Sequence, residues 1–191
     1  MTNKKWLFTS FLLLALPTLA QVDLEQFENV TSEHYADSKL GFELAYPYRW
    51  QPRPPPAPSI DLLVSADSYN LPSFSVVVRE VSTEEGEFPD QRQLAMELFS
   101  QSLGIGSQRL VEDLIEYDRA TDFKGFSAFE VKFAFNSPIG EQIPLQMVIL
   151  VFTDENKTYA LAALDLYSPD SLSSDLLNIR DSFQILRGAD E

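Results

Sequence analysis

Few side chains in this sequence have the types and spacing that catalysis or metal binding requires. The 191 residues include no cysteine, which excludes disulfide bonds, thiolate nucleophiles and Cys-ligated metal sites. The single histidine, His34, lies between Glu33 and Asp37. A metal site there would need carboxylate ligands from distant segments, so a surface or edge-strand histidine is the favoured interpretation. We therefore assign no catalytic residue, no metal ligand and no cofactor.

Acidic residues are concentrated in one segment, at positions Glu112, Asp113, Glu116, Asp118 and Asp122. If this segment is a strand, alternation places Glu112, Glu116 and Asp118 on one face, where a calcium ion could bind. The ligand spacing of an EF-hand is absent, so a solvated strand face is favoured. No spacing among the 29 acidic residues selects a hydrolytic carboxylate pair, and no G-x-S-x-G motif occurs. An unrecognised hydrolase is kept as an alternative function.

The composition is that of an acidic globular domain. Hydrophobic residues make up 45% of the chain, which is enough for a core, and 29 acidic against 14 basic residues give a net charge of −15. A negative protein repels phosphate groups, which argues against binding to nucleic acid or to anionic lipid. Solubility is the favoured interpretation of the acidity.

The first twenty residues have the pattern of a secretory signal peptide. Lys4 and Lys5 precede an apolar stretch at residues 6–16, and Thr18-Leu19-Ala20 offers small residues for cleavage after Ala20. The apolar stretch is shorter than the ~20 residues that span a bilayer, so cleavage is favoured over a membrane anchor. We expect a periplasmic or secreted protein that does not span the membrane.

The remaining chain is predicted to hold one domain, at residues 34–187, between a polar leader at 21–33 and a tail at 188–191. Alternating apolar residues predict strands, over Phe42–Tyr46, Ile60–Val64, Phe74–Val78, Val111–Asp118 and Phe129–Asn136. Two nearly continuous apolar runs predict central strands covered on both faces and joined by a tight hairpin, at Leu145–Phe152 and Tyr159–Leu166.

Two amphipathic helices are predicted to cover the sheet. Asp90 is the expected N-cap of the first, and Gly104 its C-terminal glycine. Ser168 and Pro169 are the expected start of the second, whose apolar stripe is Leu172, Leu176, Ile179 and Phe183. Short hairpins favour antiparallel pairing, so the predicted fold class is α+β, an antiparallel β-sheet with helices on both faces.

Both ends of the predicted domain resemble the PsbP-like family. The stretch GFELAYPYRW, from Gly41 to Trp50, is similar to the family's opening strand, with its glycine, alternating strand, proline and tryptophan. Residues 158–170 and 176–186 are similar to the family's last strand and helix. The resemblance covers residues 35–186 and implies an α/β/α sandwich around an antiparallel sheet, a fold shared with Mog-type and DcrB-like proteins.

The resemblance also implies a role in binding. PsbP-type proteins support the manganese–calcium cluster of photosystem II without known catalysis of their own, although the fold carries several unrelated roles. We expect an exported, non-catalytic accessory or binding protein whose partner is an envelope protein or complex. The alternative is a small-molecule or lipid-binding protein with a pocket between the sheet and a helix.

A candidate partner-binding surface consists of the proline-rich segment Gln51–Ser59 and the nearby loop Ser68–Pro72. Arg53 and Tyr69 are the candidate anchors, because arginine and aromatic side chains dominate many binding surfaces. The five prolines of the first segment predict an extended polyproline-type loop that cannot join a central sheet ladder. The alternative interpretation is that both loops only connect strands.

Overall fold

A computed structural model describes residues 32–67, 71–81, 90–138 and 141–187. Its strands are β1 (Ser32–Asp37), β2 (Phe42–Pro47), β3 (Gln51–Pro52), β4 (Leu62–Ser65), β5 (Ser73–Glu80), β6 (Ile115–Phe123), β7 (Phe126–Asn136), β8 (Pro144–Asp154), β9 (Lys157–Leu166) and β10 (Gln184–Ile185). Its helices are α1 (Gln91–Leu103), α2 (Gln108–Glu112) and α3 (Ser174–Ser182). None of the helices in the described ranges is long and apolar enough to cross a membrane.

Antiparallel pairing organises the strands into two sheets. The larger sheet has the order β3-β4-β5-β9-β8-β7-β6, and the smaller has the order β1-β2-β10. The predicted hairpin between β8 and β9 is confirmed, with Glu155 and Asn156 as its two turn residues. Glu155 has a φ of 51°, the left-handed conformation that such two-residue turns require. The described residues thus form a mostly β structure with few helices.

Strand β8 is buried on both faces, which explains why its sequence is almost continuously apolar. Its residues Val148, Leu150 and Phe152 belong to one core cluster, together with Leu176 and Ile179 of α3. The intervening residues of β8 belong to a second cluster with residues of α1: Met147, Ile149 and Val151 with Leu94, Ala95, Leu98 and Phe99. Consecutive residues of β8 therefore belong alternately to two core clusters. We call the cluster with α1 residues the α1-side core and the cluster with α3 residues the α3-side core.

The predicted ends of α1 are confirmed. The Asp90 side chain accepts hydrogen bonds from the backbone N–H groups of Arg92 and Gln93, as an N-cap should. The Gln93 side chain donates to Glu97 and does not complete a capping box. Gly104 ends the helix with a φ of 66°, a conformation in which a side chain would be strained.

The predicted start of the last helix, with Ser168 as N-cap and Pro169 as first residue, was wrong by five residues, because α3 begins at Ser174 with Ser173 as its N-cap residue. The Asp165 carboxylate accepts a hydrogen bond from the Ser173 N–H at 2.8 Å and holds the preceding segment in a non-helical path. The predicted apolar stripe is nevertheless buried, from Leu172 through Leu176 and Ile179 to Phe183.

The predicted strand at Val111–Asp118 was also wrong in its first half. Residues up to Glu112 form α2, and β6 begins only at Ile115. Glu112 therefore does not share a strand face with Glu116.

The first strand, β1, begins at Ser32, two residues before the predicted domain start. Trp50 is buried in the core cluster that contains Leu176 and Ile179 of α3.

Candidate functional site

A polar cavity of about 180 Å³ opens between the large sheet and the chain that leads into α3. We call it the Glu130 pocket. Its sheet wall is formed by side chains from three neighbouring strands: Tyr117 and Arg119 of β6, Glu130 and Lys132 of β7, and Gln146 and Val148 of β8. The opposite wall is formed by residues 169–172 together with Leu177 and Arg180 of α3. The cavity thus occupies the position predicted for the alternative function, between sheet and helix.

Strand register brings these polar side chains together. Tyr117 of β6 lies opposite Lys132 of β7, and Arg119 of β6 lies opposite Glu130 of β7. Each charged residue of β7 therefore has a polar or charged neighbour on the adjacent strand. Alternate residues of a strand point to opposite faces, so Glu130 and Lys132 share the face that carries Val148 in the next strand. The other face of β7 carries Val131 and Phe133, which belong to the α1-side core.

Glu130 is the centre of the hydrogen-bond network, and only 6% of the residue is exposed. Its Oε1 accepts from Nη2 of Arg119 at 2.6 Å, from Nε of Arg119 at 3.2 Å and from the Tyr117 hydroxyl at 3.1 Å. Its Oε2 lies 3.8 Å from Nη1 of Arg180. Burial raises the pKa of Tyr117 to about 12, and the nearby Glu130 carboxylate adds to that rise.

Lys132 is the second buried charge of the pocket. Its ammonium lies 3.2 Å from Oε2 of Glu116, donates to the carbonyl of Ser168 at 3.0 Å and sits 5.2 Å from the centre of the Tyr167 ring. Only 4% of Lys132 is exposed, so these contacts replace the water that a lysine normally keeps. Lys132 thereby ties β7 to the segment that closes the cavity.

Gln146 is fully buried, and only one of the two polar atoms of its side chain has a hydrogen-bond partner among the described residues. Its Nε2 donates to the Ser171 carbonyl at 3.2 Å, whereas its Oε1 has no hydrogen-bond partner among the described residues. The orientation of the amide follows from chemistry, because the Ser171 carbonyl can only accept and so must face the NH₂ group. One residue that lines the Glu130 pocket therefore carries a buried acceptor atom that has no hydrogen-bond partner in the described ranges.

Of the acidic residues singled out in the sequence, Glu116 lies beside this pocket through its contact with Lys132, and the five do not form a cation site. Glu116 pairs with Lys132, and Asp118 pairs with Arg92 of α1. The prediction that Glu116 and Asp118 share a strand face was wrong, because an irregularity of β6 between Ile115 and Tyr117 places Asp118 opposite Val131 while Glu116 pairs with Lys132. No group of three or more potential metal ligands occurs within the described residues. His34 is exposed and lies 3.6 Å from Glu43 of the neighbouring strand.

Arg53 is anchored to the sheet in the structure. Its N–H donates to the Leu63 carbonyl at 2.8 Å, and its Nε donates to the Ser65 hydroxyl at 3.3 Å. Pro52 beside it belongs to the outermost strand β3, an edge position that a proline can occupy. Tyr69, the second candidate anchor, lies outside the described residues. The assignment of Arg53 and Tyr69 as anchors of a partner-binding surface thus stays a prediction.

Sequence reasoning missed the residues that line the Glu130 pocket. The alternation over Phe129–Asn136 correctly predicted a strand with Glu130 and Lys132 on one face. Such a pattern ordinarily indicates a solvated polar face, and only the cover provided by α3 and residues 169–172 makes these charges buried. The one usable signal was the presence of two charges of opposite sign, two positions apart, on a strand next to a central one.

The described fold is PsbP-like. The solution structure of cyanobacterial PsbP (CyanoP) from Synechocystis sp. PCC 6803 matches with a TM-score of 0.58 and 15% identity, over 81% of this chain and 92% of that chain. A crystal structure from Bacteroides thetaiotaomicron VPI-5482 matches with a TM-score of 0.55 and 9% identity, over 83% of this chain and 50% of that chain. No protein-family profile and no curated protein sequence matches. At these identities the similarity shows the fold alone, and it confirms the resemblance seen in the sequence.

Proposed function

We propose that this protein is an exported PsbP-like accessory protein that acts by binding and not by catalysis. The fold similarity to CyanoP supports the PsbP-like part of this proposal. We also propose that its layers form an α/β/α sandwich. In support, residues of α1 and α3 belong to different cores, and consecutive residues of β8 alternate between these two cores.

The observation that carries the non-catalytic role is the mutual pairing of the groups in the Glu130 pocket. The Glu130 carboxylate is held between two guanidinium groups, because its Oε1 accepts three hydrogen bonds from Arg119 and Tyr117 and its Oε2 lies 3.8 Å from Arg180. A general acid or base is most effective with a pKa near the working pH, whereas Tyr117, with a pKa of about 12, stays protonated at neutral pH. This network favours a rigid binding surface over proton transfer.

Turnover assays on the pure protein test the non-catalytic role. We expect no activity in a broad hydrolase screen, with Glu130→Gln as the matched variant because it keeps the size of the side chain. Activity of the natural protein that disappears in Glu130→Gln would refute this part of the proposal.

Export is tested on protein isolated from its native host. We expect mass analysis of the N-terminus to find Gln21 as the first residue, in a soluble fraction from outside the cytoplasm. The expectation rests on the basic, apolar and small-residue pattern of residues 1–20. An intact Met1 in the membrane pellet would contradict it.

Partner binding is tested by affinity purification from the envelope fraction. Replacing Arg53 and Tyr69 together with alanine should leave the fold intact and weaken recovery of a partner. Tyr48→Ala is the matched control, because Tyr48 is an exposed aromatic residue outside both candidate loops. Equal recovery with the double variant and with the control would reject the loops as the binding surface.

A second candidate function is the binding of a small molecule in the Glu130 pocket. It is favoured by the buried Oε1 of Gln146, which has no partner within the described part of the chain. Buried polar groups are hydrogen-bonded in the great majority of proteins, so such an atom beside a cavity points to an occupant.

A further inference from the structure

We propose that the Glu130 pocket binds a small neutral molecule that carries several hydroxyl groups and has the size of a monosaccharide. This inference rests on the second candidate function above and names its ligand class. It combines three properties of the pocket: the hydrogen-bonding groups that stay open, the balance of charge on the walls, and the volume.

Two acceptor atoms of residues that line the pocket have no hydrogen-bond donor within the described ranges. Oε1 of Gln146 has no partner in the described ranges, and Oε2 of Glu130 has only the Arg180 guanidinium, at 3.8 Å. A separation of 3.8 Å is too long for a hydrogen bond. Both acceptors need a donor from the occupant, and a hydroxyl group can supply one.

The same walls also offer donors. Nε of Arg180 donates to the Asp181 carboxylate. Among the described residues, the partner given for its terminal N–H groups is Oε2 of Glu130, at 3.8 Å. The ammonium of Lys132 has three N–H groups and contacts Glu116 and the Ser168 carbonyl. A hydroxyl both donates and accepts, so a molecule with several hydroxyls can satisfy acceptors and donors together.

Charge on the walls favours a neutral molecule. The lining cations Arg119, Lys132 and Arg180 are matched by the lining carboxylates Glu130 and Asp170 and by Glu116, the ion-pair partner of Lys132, so the walls attract neither an anion nor a cation strongly. The existing ion pairs of Glu130 would also have to break before it could hold a new charge. Neutral hydroxyls can bind to both kinds of group without disturbing these pairs.

The volume sets the size of the ligand. The cavity of about 180 Å³ is far larger than the ~10–15 Å³ that one buried water requires. It is also smaller than the ~300–1,000 Å³ of pockets for drug-sized ligands. Val148, Leu172 and Leu177 add an apolar lining against which the C–H groups of a sugar ring can pack. A molecule of about a dozen non-hydrogen atoms with an apolar and a polar side fits these limits.

Calorimetric titration and NMR shift mapping of the purified protein test the inference. The neutral probes are glucose, galactose, mannose, ribose and myo-inositol, and the charged probes are succinate, inorganic phosphate and putrescine. Melting temperature is not a suitable readout, because polyols stabilise most proteins by being excluded from the surface. We expect saturable binding of at least one neutral probe, with shifts in residues that line the pocket.

Substitutions then place the binding in the Glu130 pocket. Gln146→Leu should weaken the affinity tenfold or more, because it removes the open acceptor while keeping a similar volume. Arg180→Gln removes the guanidinium donors and should also weaken the affinity. It replaces Gln146→Leu as the test variant if Gln146→Leu does not fold. Tyr48→Ala, at an exposed position that does not line the pocket, should leave the affinity unchanged.

Three outcomes would overturn the inference. Saturable binding of charged probes alone would refute the neutral ligand class but leave small-molecule binding in place. Binding of a neutral probe with unchanged affinity in both pocket variants would place it outside the pocket. No saturable binding of any probe would refute both the inference and the second candidate function, whereas the accessory role depends on the separate partner experiment.

Discussion

The two faces of strand β7 differ in what they bury. On the α1 side, Val131 and Phe133 contact an entirely apolar core, and the Phe133 ring stacks on Phe99 with 3.9 Å between ring centres. On the α3 side, Glu130 and Lys132 are almost as well buried, at 6% and 4% exposure, but they face a polar cavity. The same strand therefore stabilises the fold on one face and presents hydrogen-bonding groups on the other.

This difference teaches that burial alone does not indicate a residue's role. Apolar side chains on the α1 side gain free energy simply by leaving water. Buried charges on the α3 side lose their hydration and regain free energy only through specific partners, so their burial is weak evidence for a stabilising role. The α3 face is accordingly the place to look for function.

The largest effect is expected from Phe133→Ala. Phe133 is fully buried and stacked, so its removal leaves a cavity in the α1-side core and should lower the free energy of unfolding by ~3–5 kcal/mol. Denaturant unfolding measures the loss. Phe135→Ala is the matched control with a smaller expected loss, because Phe135 is only partly buried and contacts Phe99 edge-on. A melting curve unchanged by Phe133→Ala would mean that the faces of β7 are assigned incorrectly.

An intermediate effect is expected from Glu130→Ala. It leaves the Tyr117 hydroxyl without its acceptor and the Arg180 guanidinium without its ion-pair partner, which should cost ~1–3 kcal/mol. Arg119 is largely exposed and can return to water, which limits the loss. Glu130→Gln should lose less, since its amide oxygen can still accept. If both variants unfold like the natural protein, the network does not contribute to stability.

A pH-dependent effect is expected from two tyrosines, Tyr117 and Tyr159. Burial raises the pKa of Tyr117 and of Tyr159 to about 12 in the folded protein, compared with a usual value of about 10. Between pH 10 and 12 the unfolded chain loses these protons first, so the free energy of unfolding should be intact below pH 10 and fall as the pH rises. Tyr117→Phe should reduce this slope in a series of denaturant titrations. An equal slope in the variant would show that Tyr117 ionises alike in both states.

The smallest effect is expected from Gln146→Leu. The substitution removes a buried acceptor without a partner, which is favourable, and also the hydrogen bond to the Ser171 carbonyl, which is unfavourable. The two changes should nearly cancel and leave the free energy of unfolding within ~1 kcal/mol of the natural value. A loss comparable to that of Phe133→Ala would indicate that Gln146 is a structural residue, since a ligand acceptor can be replaced without such a cost.

The sequence alone determined the elements whose causes are local. The N-cap at Asp90, the glycine at Gly104 and the hairpin after Asp154 depend on residues within one turn of each other, so their patterns are readable along the chain. The apolar runs of β8 and β9 likewise predict central strands by themselves. The loose similarity at Gly41–Trp50 and at residues 158–186 was enough to identify a PsbP-like fold.

Only the tertiary structure decided where α3 begins and what the α3 face of β7 buries. The start of α3 depends on a contact from Asp165 to Ser173, and the burial of Glu130 depends on Arg180, which lies fifty residues further along the chain. A pattern of alternating residues records which side chains share a face but not what covers that face. The Glu130 pocket exists because a distant helix and its leading segment close over a charged strand, and no local pattern carries that information.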